Sequence, residues 1–129
     1  MSYTLEPLRQ NGLNMGYFLF GSPPESVRID DRVLAHLKIV ILTKLRRHEG
    51  FPFSFNFEPA SGSGRATVWL NPSVLIQFRF EGSRQPVINK SWLELMMLTA
   101  NEADGLRLVE EPPEAWSLPT ATGTLSVQR

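Results

Sequence analysis

Residues 31–57 read DRVLAHLKIVILTKLRRHEGFPFSFNF, and this stretch sets the fold class. Its first part holds no Gly or Pro, and Val33, Leu34, Leu37, Val40, Ile41 and Leu45 recur at the period of an α-helix with one apolar face. Asp30 and Asp31 supply the oxygens that a helix start requires, and Arg46, Arg47 and His48 put positive charge on its last turn before Gly50. A helix is therefore expected over 31–48. His36, Thr43 and Arg47 fall in a narrow polar arc, while Ala35, Ile39 and Leu42 add a second apolar strip. Such a helix is covered on more than one side, by a sheet and by another helix or a second subunit. Past Gly50 the period changes. Phe51, Phe53, Phe55 and Phe57 alternate with Pro52, Ser54 and Asn56, the two-residue repeat of a half-buried strand. Pro52 cannot donate to a ladder, which suits an edge or a strand start.

Outward from this core, Tyr17–Phe20 and Ser26–Ile29 read as short strands around the turn Gly21-Ser22-Pro23-Pro24. Ala66–Leu70 and Val74–Phe80, joined by Asn71-Pro72-Ser73, read as a hairpin. Asn89-Lys90-Ser91 caps a second helix over 91–103, with Leu93, Met96, Met97 and Ala100 inward, and Leu106–Val109 reads as a last strand. The order is ββαβββαβ. Strands in runs, rather than in strict alternation with helices, imply a two-layer α+β domain: a mainly antiparallel sheet of five or six strands with two helices on one face. Residues 15–110 form this single domain. Residues 1–14 read as a flexible extension and 111–129 as a mobile tail containing Pro112, Pro113 and Pro119.

Composition narrows the function. The chain of 129 residues is 42% hydrophobic and 20% charged with a formal net charge of zero, ordinary values for a globular protein. From Met15 to Val109 there are 11 Lys and Arg against 9 Asp and Glu, too small an excess to signal a nucleic-acid binder by charge alone. There is no Cys, so disulfides, thiolate metal sites and a Cys nucleophile are excluded, which suits a reducing, cytoplasmic setting. No apolar run is long enough to span a bilayer, and the first residues lack the pattern of a secretion signal.

The middle of the chain resembles a family of small, mostly actinobacterial proteins of unknown function. The likeness rests on Met15-Gly16 with Gly21, Ile29-Asp30-Asp31-Arg32, Leu34-Ala35-His36-Leu37, Lys44-Leu45-Arg46-Arg47, Gly62-Ser63-Gly64-Arg65, Thr67-Val68-Trp69-Leu70, Ala100-Asn101 and Gly105-Leu106, and covers about Met15 to Pro113. The resemblance implies an association with ATP-dependent DNA ligases, a label that members often carry automatically. Nucleotidyl transfer by such enzymes uses a Lys nucleophile followed by Asp-Gly two and three residues on. Here Lys38, Lys44 and Lys90 are followed by Ile-Val, Leu-Arg and Ser-Trp, so none fits. The label therefore implies a link to DNA repair or ligation genes rather than an activity.

His36 and His48 lie about 18 Å apart along one helix and about 120 degrees around it, so they cannot share a metal ion; His36 reads as part of the polar arc and His48 as a helix-end cation. No metal or cofactor is expected. Gly62-Ser63-Gly64 opens a strand rather than a strand-to-helix elbow, which argues against a Ser nucleophile. The loop Gly62, Ser63, Gly64, Arg65 can cradle an anion through backbone N–H groups and a guanidinium, or serve simply as a connection. Asp30 and Asp31 read as caps rather than as an acid–base pair.

If Phe53, Phe55, Val68, Leu70, Phe78, Phe80, Leu106 and Leu108 face the helices, then Ser54, Asn56, Arg65, Thr67, Trp69, Gln77, Arg79 and Arg107 face outward with Arg28. Arg28, Arg65, Thr67, Trp69, Gln77, Arg79 and Arg107 are the candidate binding face. Three readings remain open: a protein or self-association interface rich in Trp and Arg, a nucleic-acid surface, and a plain solvated face. The expectation is a non-enzymatic binding or accessory module, acting on a protein partner or itself, with a nucleic-acid accessory role in DNA repair or ligation as the alternative and no membrane partner.

Overall fold

The computed structural model describes residues 2–4, 14–57 and 64–113. The first helix, α1 (Asp31–Arg46), begins where Asp30 accepts the backbone N–H of Arg32 at 2.7 Å. It closes at Arg47, before the expected end, and His48 turns into the left-handed region at φ 61. Val33, Leu34, Leu37, Val40 and Ile41 are all buried, each contributing about 1.5–3 kcal/mol by leaving water.

The strands do not form one sheet. A four-stranded sheet has the order β1 (Ser2–Thr4), β3 (Glu25–Asp30), β2 (Met15–Phe20), β6 (Ile76–Arg79), and a three-stranded sheet has the order β5 (Gly64–Leu70), β4 (Phe51–Phe57), β7 (Leu106–Arg107). The pairings β2–β3, β2–β6 and β4–β5 are antiparallel; β1–β3 and β4–β7 are parallel. The second helix, α2 (Lys90–Ala100), is capped by Asn89. The fold is thus α+β in nearly the expected order, with the single expected sheet divided into two.

The division has a local cause at the expected hairpin. The carboxamide of Asn71 accepts the N–H of Ser73 at 2.8 Å, its carbonyl accepts the N–H of Val74 at 3.0 Å, and the Leu75 carbonyl then accepts the N–H of Gly21 at 2.9 Å. This turn sends the chain away from β5 and delivers β6 to the edge of β2, so β5 and β6 lie in different sheets. The two sheets meet through rings: Phe18 of β2 lies edge-on to Phe53 of β4 with centroids 5.8 Å apart. α1 packs on β2 and β3, α2 on β7 and β4, and the helices pack on each other. The helices therefore cover different sheets rather than one shared face.

Three further boundaries depart from expectation. Within the expected N-terminal extension, Ser2–Thr4 forms β1, held because the Tyr3 ring packs edge-on against Phe55 and Phe57 at 5.3 and 4.9 Å; residues 5–13 lie outside the described residues. α2 ends at Ala100. β7 has two residues rather than four, and beyond it the Val109 carbonyl accepts the indole N–H of Trp92 at 2.8 Å. Of the expected tail, 111–113 are described and 114–129 are not.

Candidate functional site

The seven candidate face residues fall on two surfaces. Arg28, Gln77 and Arg79 lie on the outer side of the four-stranded sheet; Arg65, Thr67, Trp69 and Arg107 lie on the outer side of the three-stranded one. The split follows directly from the crossing of the chain between β5 and β6. In the anion-loop candidate, Gly64 and Arg65 open β5, while Gly62 and Ser63 lie outside the described residues.

On the three-stranded sheet, register pairs Pro52 with Trp69, Ser54 with both Thr67 and Arg107, and Asn56 with Arg65. The Ser54 hydroxyl donates to the Asp104 carbonyl at 2.9 Å, so the Thr67 hydroxyl, 2.8 Å away, donates to Ser54. Arg107 is paired with Glu102 at 2.9 Å. The centre of this face is thus satisfied internally. Trp69 is different. Its ring lies over Gly50, where an added Cβ would meet it at 2.5 Å, yet the residue stays 60% exposed. Among the described residues β5 is paired on one side only, so a seven-residue edge carries Arg65, Thr67 and Trp69 beside unpaired backbone groups.

On the four-stranded sheet, register places Arg28, Tyr17 and Arg79 side by side on three neighbouring strands, with Ser26, Leu19 and Gln77 in the next row. Cross-strand neighbours stand about 5 Å apart, so Tyr17 on the middle strand of the three occupies a position between two Arg positions. Among the described residues none of Arg28, Arg65 and Arg79 forms an ion pair. Tyr17 is absent from the sequence-based candidates, although its alternation with Phe18 and Phe20 carries the signal.

Other polar side chains serve the fold. His36 is fully buried rather than on a solvated polar arc. Its Nδ1 lies 2.7 Å from the Arg32 carbonyl and its Nε2 accepts the Asn89 N–H at 2.8 Å, which fixes the proton on Nδ1 in the neutral ring. The ring rests on Trp92 at 4.5 Å. Asn89 donates to Glu111 at 3.0 Å and to the Pro112 carbonyl at 2.7 Å, and Glu111 receives Arg32 through two nitrogens. The hydrogen bonds from Arg32 and then from Asn89 outweigh partial burial and hold the Glu111 carboxyl below the usual glutamate range. Asp30 caps α1, but Asp31 does not; its oxygens accept the N–H groups of Glu81 at 3.1 Å and Gly82 at 2.8 Å. Lys44 is buried, bonded to Asn101 at 2.8 Å and 2.8 Å from Glu49. Among the described residues no three His, Asp or Glu side chains gather as a metal site, and no helix is long and apolar enough to cross a membrane.

Compared with known proteins, residues 15–111 match the family described as Domain of unknown function (DUF7882). No curated protein and no solved structure matches the chain.

Proposed function

We propose that this chain, which belongs to the DUF7882 family, is a non-enzymatic interaction module that associates with a second copy of itself through the open edge of β5. The observation that carries the reading is Trp69, 60% exposed on a strand paired on one side only among the described residues. An isologous contact adds strand to strand antiparallel across a two-fold axis and buries the unpaired backbone groups of both copies. Centred on Thr67, such pairing sets Trp69 opposite the partner subunit's Arg65. A guanidinium over an indole is a favourable contact, and Trp and Arg are the residues that interfaces concentrate. The test is sedimentation of the full chain over a concentration series, beside Trp69→Lys, which sets like charges opposite each other at a surface position. A dimer lost in the variant supports the reading. A wild type that stays monomeric at high concentration overturns it.

A second reading has its own support: a nucleic-acid-binding accessory role on the other sheet, resting on the row Arg28, Tyr17, Arg79. A ring on the central strand stacks a base and the flanking cations hold phosphates. It requires binding of short single-stranded DNA or RNA that weakens steeply with salt and is lost in Tyr17→Ala and Arg79→Ala. Binding unchanged in both variants, or absent at low salt, refutes it.

A further inference from the structure

Two residues of the second apolar strip of α1, Ala35 and Ile39, lie against the irregular segment 80–89 rather than being sealed in the core. Between helix and segment is an open cleft of about 260 Å³. Ala35 and Ile39 of α1 face Phe80 and Pro86 across it, and Lys38 and Arg84 add two positive charges with no acidic side chain in the lining. The Lys38 ammonium already lies over the Phe80 ring, 5.8 Å from its centroid.

The cleft is built rather than left over. Asp31 holds the start of the segment by the N–H groups of Glu81 and Gly82, Arg32 donates to the Val87 carbonyl, and His36 accepts the N–H of Asn89 at its end. Three side chains within six residues of α1 thus fix both ends of a loop that has no ladder of its own. A loop pinned in this way keeps its shape without a ligand, and pre-formed concavity with an apolar floor and few polar groups is the usual form of a small-molecule site.

We propose that this cleft binds a small organic anion with a flat apolar body, the body against Phe80, Ile39 and Pro86 and the phosphate or carboxylate between Lys38 and Arg84. The charge of the lining selects an anion. The facing apolar side chains select a flat body over a bare ion. The volume restricts the occupant to about one ring and its anionic group. The site is separate from the β5 edge and from the Arg28–Tyr17–Arg79 row, so it stands or falls independently of self-association.

The test is a titration of the ¹⁵N-labelled full chain followed by amide chemical shifts, with phenyl phosphate, benzoate, phenol and inorganic phosphate as probes. Phenyl phosphate is expected to move the amides of 35–39 and 80–88. Phenol and inorganic phosphate, each with half the recognised chemistry, bind at least about tenfold more weakly. Comparison with benzoate shows which anionic group is preferred. Lys38→Met with Arg84→Met changes two exposed side chains, so the fold persists; it weakens phenyl phosphate by about tenfold or more with the remaining spectrum unchanged. Shifts confined to other residues, no shift with phenyl phosphate or benzoate, or equal affinity in the double variant overturns the proposal.

Discussion

Replacing Asp31 by Asn asks whether one carboxylate holds the segment over α1. The side chain is buried, and its oxygens serve separate donors, Oδ1 the N–H of Glu81 at 3.1 Å and Oδ2 the N–H of Gly82 at 2.8 Å. Asn offers one oxygen, so its amide nitrogen confronts the second N–H, donor against donor. Hydrogen bonds to a charged group contribute about 1.5–3 kcal/mol, and a buried donor left unpaired costs about 1–3 kcal/mol. Removing a negative charge from the first helical turn adds about 0.3–1 kcal/mol. These contributions overlap, and we expect Asp31→Asn to lose about 2–4 kcal/mol. For a domain of this size that lowers Tm by about 10–25 °C. Asp30→Asn is the control. Asn caps a helix as well as Asp does, so the bond to the Arg32 N–H at 2.7 Å survives and the loss is expected to be smaller than that of Asp31→Asn. Urea denaturation gives the energies, and amide exchange at Glu81 and Gly82 localises the effect. An Asp31→Asn variant within about 0.5 kcal/mol of wild type, with both amides as protected as before, refutes the role assigned to the carboxylate.

Gly105→Ala is expected to cost about 3 kcal/mol or more, measured by thermal denaturation, because φ is 78 and a Cβ would lie 2.1 Å from the Pro52 carbonyl oxygen. His36→Leu deprives the buried N–H of Asn89 of its acceptor and is expected to lose about 1–3 kcal/mol, with a change in Trp92 fluorescence reporting the disturbed ring contact. The Glu111 carboxyl is held below its ordinary range in the folded chain, so its contribution is complete above that range. It is lost as pH falls through the folded value, because the unfolded chain takes up its proton first. Urea denaturation from neutral into acid pH is therefore expected to show a steeper loss for wild type than for Glu111→Gln.

Side-chain direction within a strand is a local property, and the alternation along β5 and β6 is plain in the order of residues. Arg65, Thr67, Trp69, Gln77 and Arg79 point outward in the fold, alternating with the inward Ala66, Val68, Leu70, Ile76 and Phe78. What alternation lacks is any statement of which sheet a strand joins, so residues on two surfaces read as one. The cleft is not legible in the sequence either. Its residues come from two segments, around 35–39 and 80–88, and meet only because buried Asp31 and His36 hold backbone groups distant in sequence.

Taken alone, the sequence determined both helices, the positions of most strands and the α+β class. Caps, helical period and strand alternation are short-range effects written within a few residues of where they act. Tertiary structure alone decided that the strands divide into two sheets, that β1 adds to one of them, and that His36 is buried rather than exposed. Each of those outcomes depends on contacts between distant segments: Phe18 against Phe53, Tyr3 against Phe55, His36 against Trp92 and the N–H of Asn89. Their energies arise only when the whole core closes, and no local pattern encodes them.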